Sequence, residues 1–287
     1  MTAIYKKEMK SYMTSMTGAI AIAVSLLVTG LMFRYYNLYN GVLTFHYTMN
    51  NSTLMFYIVV PVLSMRVFAE ERKQKTDQLL LTAPVSIPEI VFGKYLALIS
   101  VFAIPMAVTA VYPLVMKAFG KETLGWDYAC VICFFLMGCA YLAAGMFISS
   151  LTENVVIAAI LSILFVFVTQ MVASTTSLFS SSNFASLVTL IIVSVLIGLL
   201  VYFMTKNFWA CLGTIMGLSA LWFIFYAVKP DWFSGKSTSI IGILDFSTHF
   251  SNVAGGSLNI ADIVYFASAA AVGIILTMTS IQRRRWS

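Results

Sequence analysis

The chain has 287 residues, 60% of them hydrophobic and only 10% charged, with 22 Phe, 14 Tyr and 16 Met. This composition excludes a water-soluble globular protein. The apolar runs are continuous rather than alternating, which argues against a membrane β-barrel, and the formal net charge of +6 is used below as an orientation signal.

A hydrocarbon core of about 30 Å needs roughly 20 mostly apolar residues per helix. Eight stretches meet that requirement, at 17–36, 52–68, 92–116, 127–149, 155–173, 185–205, 208–228 and 262–281. The expected fold is therefore all-α, a polytopic helical integral membrane protein organised as a single transmembrane domain.

The opening segment MTAIYKKEMKSYMTSM carries Tyr5, Met9, Tyr12, Met13 and Met16 at helical spacing, with Lys6, Lys7 and Lys10 on other faces. It reads as an interfacial amphipathic helix with its lysines near anionic lipid; the competing reading is a merely basic N-terminus. The apolar run behind it is too long for a signal peptide and ends in FRYYNLYN without a small-residue cleavage site, so it counts as the first span. NLYNGVLTFHYTMNNST follows as a polar outer loop, in which a lone His46 lacks the company a metal site needs.

Pro61 falls in the second span and Pro105 and Pro113 in the third, where neighbouring helices can satisfy freed carbonyls. Thr152 is placed to cap the fifth span, with Glu153 in its first turn. STTSLFSSSNFAS is a Ser-rich outer turn, and spans six and seven read as a tight hairpin around Lys206 and Asn207. From Lys229 to Ile260, polar turns mix with Trp232, Phe246 and Phe250, which predicts short amphipathic helices at the outer surface. Arg283, Arg284, Arg285 and Trp286 form a terminal anchor.

With both termini in the cytoplasm, twelve of the 17 Lys and Arg residues lie inside, which is the expected bias for a multi-pass protein of the cell membrane. Cys130, Cys133, Cys139 and Cys211 all fall in spans, and the CxxC they contain reads as packing rather than redox or metal chemistry. No HExxH, GxSxG or GxxxxGK[ST] motif is present, and no acidic residue lies deep in a span. The chain is expected to be neither an enzyme nor an ion-coupled transporter, to hold no metal or cofactor, and to bind no nucleic acid. Any work it does then needs an external source of free energy.

Between spans two and three stands EERKQKTDQLLLTAPVSIPEIVFGKYLA. Glu71 and Lys75, and Lys73 and Asp77, are spaced i,i+4, which predicts a helix running through the apolar knot Leu79, Leu80 and Leu81 to a corner at Pro84. Ser86 and Glu89 then form a capping box, with Pro88 in the first turn of a new helix. The residues suggest a helix, a sharp corner and a second helix, which fits either an ordinary loop on lipid headgroups or a contact for a partner.

This stretch resembles the segment after the second span in ABC-2 type transporter permeases, with its Glu-rich turn, Leu-rich run, Thr-x-Pro and Gly-Lys. The tail DFSTHFSNVAGGSLNIADIVYFASAAAVGIILTMTSIQRRRW is similar to the end of the gliding-motility and copper-maturation type permeases. The resemblance covers residues 1–173 and 240–287. It implies a six-span core, with the extra hairpin of 174–239 inserted, and a cytoplasmic coupling helix that docks on an ATP-binding cassette subunit. Carried onto this chain, coupling falls to Glu70, Glu71, Arg72, Thr76, Leu79, Leu80, Leu81, Thr82, Pro84, Pro88, Gly93 and Lys94. The implied organisation is 1–16 interfacial helix, 17–68 spans one and two, 69–91 coupling hairpin, 92–173 spans three to five, 174–239 extra hairpin and outer loop, and 240–287 outer segment and last span.

The resemblance further implies a second permease subunit, identical or homologous, and ATP and Mg held by the partner subunits. The function expected is an exporter's permease. An alternative is a mechanical or scaffolding module that passes ATP-driven force to an extracytoplasmic partner, with 229–260 as its docking face.

Overall fold

Long apolar runs with few helix breakers satisfy their own backbone hydrogen bonds, and helices are what they form. The computed structural model describes residues 1–76, 85–118, 120, 124–176, seven positions between 187 and 201, 208–228, 242, 245–256 and 259–286. Among the described residues no strand occurs. Six helical stretches are long and apolar enough to cross a membrane, at Met16–Tyr39, His46–Lys73, Ile87–Ala118, Leu124–Leu151, Val155–Val172 and Ile260–Arg284. They match six of the eight expected spans; a seventh expected span coincides with the helix Phe208–Val228, whose described apolar stretch is shorter. The expected span 185–205 lies mostly outside the described residues.

The chain forms two compact units, Met1–Phe167 with Thr248–Ser287, and Val168–Ser247. In the first, α1 (Thr2–Thr14) is followed by α2 (Met16–Phe33), which continues as a π-helical turn at Arg34–Tyr39. Next come α3 (His46–Ser52), α4 (Phe56–Ser64), α5 (Ala69–Lys73), α6 (Ile87–Thr109), α7 (Tyr112–Ala118) and α8 (Leu124–Leu151). The helix α9 (Val155–Thr176) runs on into the second unit, where α10 is Phe208–Val228. The last two are α11 (Phe246–Ala254) and α12 (Ile260–Trp286).

The core of the first unit gathers around Phe56, whose ring lies 4.8 Å from that of Phe134, 5.2 Å from Tyr141 and 6.0 Å from Phe102. α12 packs along α8, and α11 closes on the same pair through Phe250 against Phe134 and through His249 Nδ1, 2.6 Å from Asp262 Oδ1. This helix fulfils part of the expectation of amphipathic helices in 229–260; residues 229–241 lie outside the described residues. In the second unit Leu187 and Leu190 pack with Trp222 and Tyr226, and Trp222 donates to Ser194 Oγ at 3.2 Å.

Four local expectations are corrected. The outer loop after span one is largely ordered structure, because Asn37 donates to the Val42 carbonyl at 2.6 Å and accepts from Thr48, while Phe45 and Met49 are fully buried. The third span breaks at residues 110–111, and Pro113 sits in the first turn of the short helix that follows, a position that suits a residue lacking an N–H. Asn154, not Thr152, caps α9: its Oδ1 accepts from Val156 N at 2.9 Å, and Thr152 caps only the turn before it. In α1 the buried face is set by Tyr12, while Met13, and Met16 at the start of α2, are exposed.

The sharp bend from α1 to α2 depends on Ser15, which is extended, and on Gly18, where a Cβ would collide with the Tyr12 carbonyl. That bend folds α1 back across α6. Gly93 allows the approach, since a Cβ there would meet Ile4 at 3.2 Å.

Candidate functional site

The helix begun at Phe56 stops at Ser64 and restarts at Ala69, leaving several carbonyls and amides of residues 63–69 without their normal intrahelical partners. Met65 N still reaches Pro61 O at 2.9 Å and Val67 N reaches Ser64 O at 3.2 Å. Side chains from three other helices bond five more of these groups. Tyr12 of α1 donates to Leu63 O at 2.9 Å. Ser149 of α8 donates to Met65 O at 3.2 Å and accepts from the Phe68 and Ala69 amides at 3.2 and 3.1 Å. Lys94 of α6 donates to Val67 O at 2.9 Å. Each surrounding helix thus holds the joint by its backbone.

Lys94 is the centre of this arrangement. Its ammonium donates to Val67 O and to Glu8 Oε1 at 3.0 Å and forms an ion pair with Glu71 Oε1 at 2.8 Å, with the Phe68 ring 5.1 Å away. The residue is only 2% exposed. A lysine so deeply buried is tolerated because two carboxylates and a carbonyl replace its water. Burial, together with the negative charge of Glu8, pushes the Tyr12 hydroxyl well above the ordinary tyrosine range, so it remains a donor.

Arg66 forms the second clamp. It pairs with Glu70 through two parallel bonds, Nη2 to Oε1 at 2.9 Å and Nε to Oε2, and reaches Thr17 Oγ1 of α2 at 3.1 Å. Such a fork-to-fork pair holds both position and angle. Beside it opens a polar cavity of about 290 Å³, lined by Lys7, Tyr12, Arg66, Glu70, Glu71 and Thr76 among others.

The expected helix through Leu81 is corrected at its start. α5 ends at Lys73, with Lys75 in the left-handed region at φ 59°. Lys75 N bonds to Arg72 O at 3.0 Å and Thr76 N to Glu71 O at 2.9 Å, the paired closure of a Schellman motif. Glu71 therefore turns to Lys94 instead of forming the i,i+4 pair with Lys75. Asp77, Leu79, Leu80, Leu81, Thr82 and Pro84 lie outside the described residues. Past them the capping box is present as read: Ser86 N donates to Glu89 Oε2 at 3.3 Å, and exposed Pro88 lies in the first turn of α6.

The residues expected to serve coupling separate by burial. Arg72, Gly93 and Lys94 are buried within the unit, Glu70 and Glu71 are half-buried in the two ion clusters, and Thr76 and Pro88 are exposed. Lys6 and Lys10 are exposed, and Lys7 lies 3.9 Å from Glu71. At the other terminus Arg284 lies 3.8 Å from Glu153 and Arg283 is exposed, while the side chains of Arg285 and Trp286 lie outside the described residues. Ser280 donates to the Ser150 carbonyl at 3.3 Å, so the end of α12 joins the same end of the bundle as the joint.

Glu8, Tyr12 and Ser149 were not among the expected site residues. Glu8 had a signal, as the one acid of α1, four residues from both Ile4 and Tyr12 on the face that becomes buried. Ser149 had none, because a serine at the end of a span is common. Among the described residues no three His, Cys, Asp or Glu side chains come together as a metal site, and Cys130, Cys133 and Cys139 are buried and form no disulfide.

A family model described as ABC-2 family transporter protein matches residues 2–228. The matched residues include 174–228, which the sequence reading set apart as an inserted hairpin, and stop short of the tail. No curated protein matches the chain. Six membrane-length helices and a match over most of the sequence identify the chain as a member of the ABC-2 transporter family, the membrane-spanning permease component of an ABC transporter.

Proposed function

We propose that this permease carries the motion of separate cytoplasmic ATP-binding subunits into its spans through the joint at residues 63–69, and that the cycle drives export. In this reading the end of the bundle bearing α1, α5 and the end of α12 faces the cytoplasm, where the arginines and lysines of both termini gather. Two ATP-binding subunits hydrolyse ATP, and a second permease copy or homologue completes the path. The segment from Thr76 to Pro88, centred on Leu79, Leu80 and Leu81, makes the contact with the ATPase.

One observation carries the proposal. Ser149 of α8 bonds the Ala69 amide of the short helix α5, and Lys94 of α6 holds both Glu71 of α5 and Glu8 of α1, so a push on α5 reaches three helices at once. Small displacements of packed helices are transmitted because close-packed interiors do not absorb them.

The test uses the intact complex, solubilised gently with its ATPase. Spin labels at Lys73→Cys and Arg283→Cys, both exposed positions, report the distance between α5 and α12. The expected result is a retained ATPase and a distance that shifts when ATP and vanadate trap the closed state. Leu80→Asp should lose the ATPase. A complex that retains no ATPase, or a distance indifferent to nucleotide, defeats the reading.

A further inference from the structure

Between α1 and α6 lies a second cavity, of about 320 Å³, lined by Met1, Thr2, Tyr5, Leu96 and Ser100. Its origin is legible in α6. Gly93, Leu96 and Ser100 share one face at i, i+3 and i+7 spacing. At Gly93 the missing side chain lets Ile4 close down on the helix. Two turns later α1 no longer fills the space over Ser100.

Two of the groove's hydroxyls, on Tyr5 and Ser100, are engaged with each other. Ser100 donates to its own helix at Leu96 O, 2.8 Å away, and accepts from the Tyr5 hydroxyl at 3.0 Å. An occupant therefore meets walls with little left to hydrogen-bond, which suits hydrocarbon. The groove opens onto an apolar stripe of the same span, where Phe92, Leu96 and Ile104 are 40%, 38% and 37% exposed.

The exposed charge on α1 is positive. Lys6 and Lys10 are exposed and pair with no carboxylate among the described residues, in contrast to Glu8 on the same helix, which is committed to Lys94. On the wheel of α1, Lys6 follows the groove residue Thr2 at i+4, and Lys10 stands one turn on. Hydrocarbon-lined space beneath two uncompensated lysines fits one kind of ligand.

We propose that the groove between α1 and α6 binds an anionic phospholipid, with one acyl chain over Tyr5, Leu96 and Ser100 and the phosphate held by Lys6 and Lys10. Each lysine at a membrane surface contributes about a fivefold preference for anionic over zwitterionic lipid. The site does not depend on the export reading, because it requires only that α1 lie on the membrane surface.

The experiment is photo-crosslinking of the intact complex in nanodiscs, using phosphatidylglycerol with a diazirine in one acyl chain and a matched phosphatidylcholine probe, with labelled peptides mapped by mass spectrometry. Labelling is expected within residues 2–5 and 96–100, stronger for phosphatidylglycerol by about fivefold or more. Lys6→Gln with Lys10→Gln should bring the two probes toward parity while groove labelling persists. Ser100→Trp should remove groove labelling while the chain elutes and melts as before; Ser100→Leu, a smaller filling, serves if the Trp variant misfolds. Equal labelling by both probes in the unmodified chain overturns the proposal, as does labelling spread evenly over the apolar faces of α2 and α9. Cross-links joining the groove to another polypeptide would assign it to a protein partner and overturn the lipid reading.

Discussion

Lys94 Nζ lies 3.0 Å from Glu8 Oε1, so a residue in the first turns of the third span is tied to the helix that opens the chain. The same ammonium holds Glu71 at 2.8 Å. Lys94→Met would leave Glu8 and Glu71 with only the exposed Lys7, 3.9 Å from Glu71, as a counter-ion. Its expected cost is about 3 kcal/mol, seen as a lower midpoint of thermal unfolding in detergent. Glu8→Gln should cost less, since Glu71 and the Val67 carbonyl still hold the lysine. The reverse order of damage would refute the central role given to Lys94.

Ser149 replaces backbone partners at a helix break, so Ser149→Ala strands two amides and a carbonyl. The expected loss is about 1–3 kcal/mol. Hydrogen exchange checks it locally: the Phe68 and Ala69 amides should exchange faster, while Lys75 and Thr76, bonded within their own turn, stay protected. In the complex with its ATPase, the variant should still hydrolyse ATP but lose the nucleotide-dependent distance change between positions 73 and 283.

Tyr12 gives a pH dependence with a definite sign. Its folded-state pKa is raised by burial, so the stability it contributes is fully present below the ordinary tyrosine value and declines as pH rises beyond about 10. Tyr12→Phe removes the bond to Leu63 O and with it that part of the alkaline decline. Unfolding midpoints of the two proteins should converge as pH increases from 9 to about 11. Parallel curves would contradict the assignment.

Lys75 occupies the left-handed position that normally favours glycine. Lys75→Gly is expected to stabilise the purified chain by about 1 kcal/mol, and Lys75→Val to destabilise it by at least as much, because a β-branched side chain crowds that conformation further. Thermal melts of the two variants against the parent decide the point.

The sequence made the span pattern legible because twenty-residue apolar runs have no other stable use, and it made the start of α6 legible because Ser86, Pro88 and Glu89 act within one turn. It misled at Glu71 and Lys75. Their spacing describes a helix in isolation, whereas the native chain stops α5 at Lys73 and lends Glu71 to a lysine 23 positions on. It was silent on Ser149, whose value comes wholly from the helix break that packing places beside it. The outer segment after span one was read as a loop from its Asn and Gly content, though Asn37 and Thr48 use those polar groups to knit it together. Local signals survive translation into structure, and long-range polar pairs do not announce themselves.

The joint at residues 63–69 has a mechanical character that follows from how it is held. A continuous helix from span to coupling segment would behave as a stiff rod, and a free loop as a slack tether. Here the backbone is suspended from the tips of Tyr12, Lys94 and Ser149, like a bearing carried on three spokes. Such a bearing can be loosened or tightened one side chain at a time, leaving the spans themselves as they are. In the proposed coupling, the compliance between motor and membrane path is therefore open to adjustment by single substitutions.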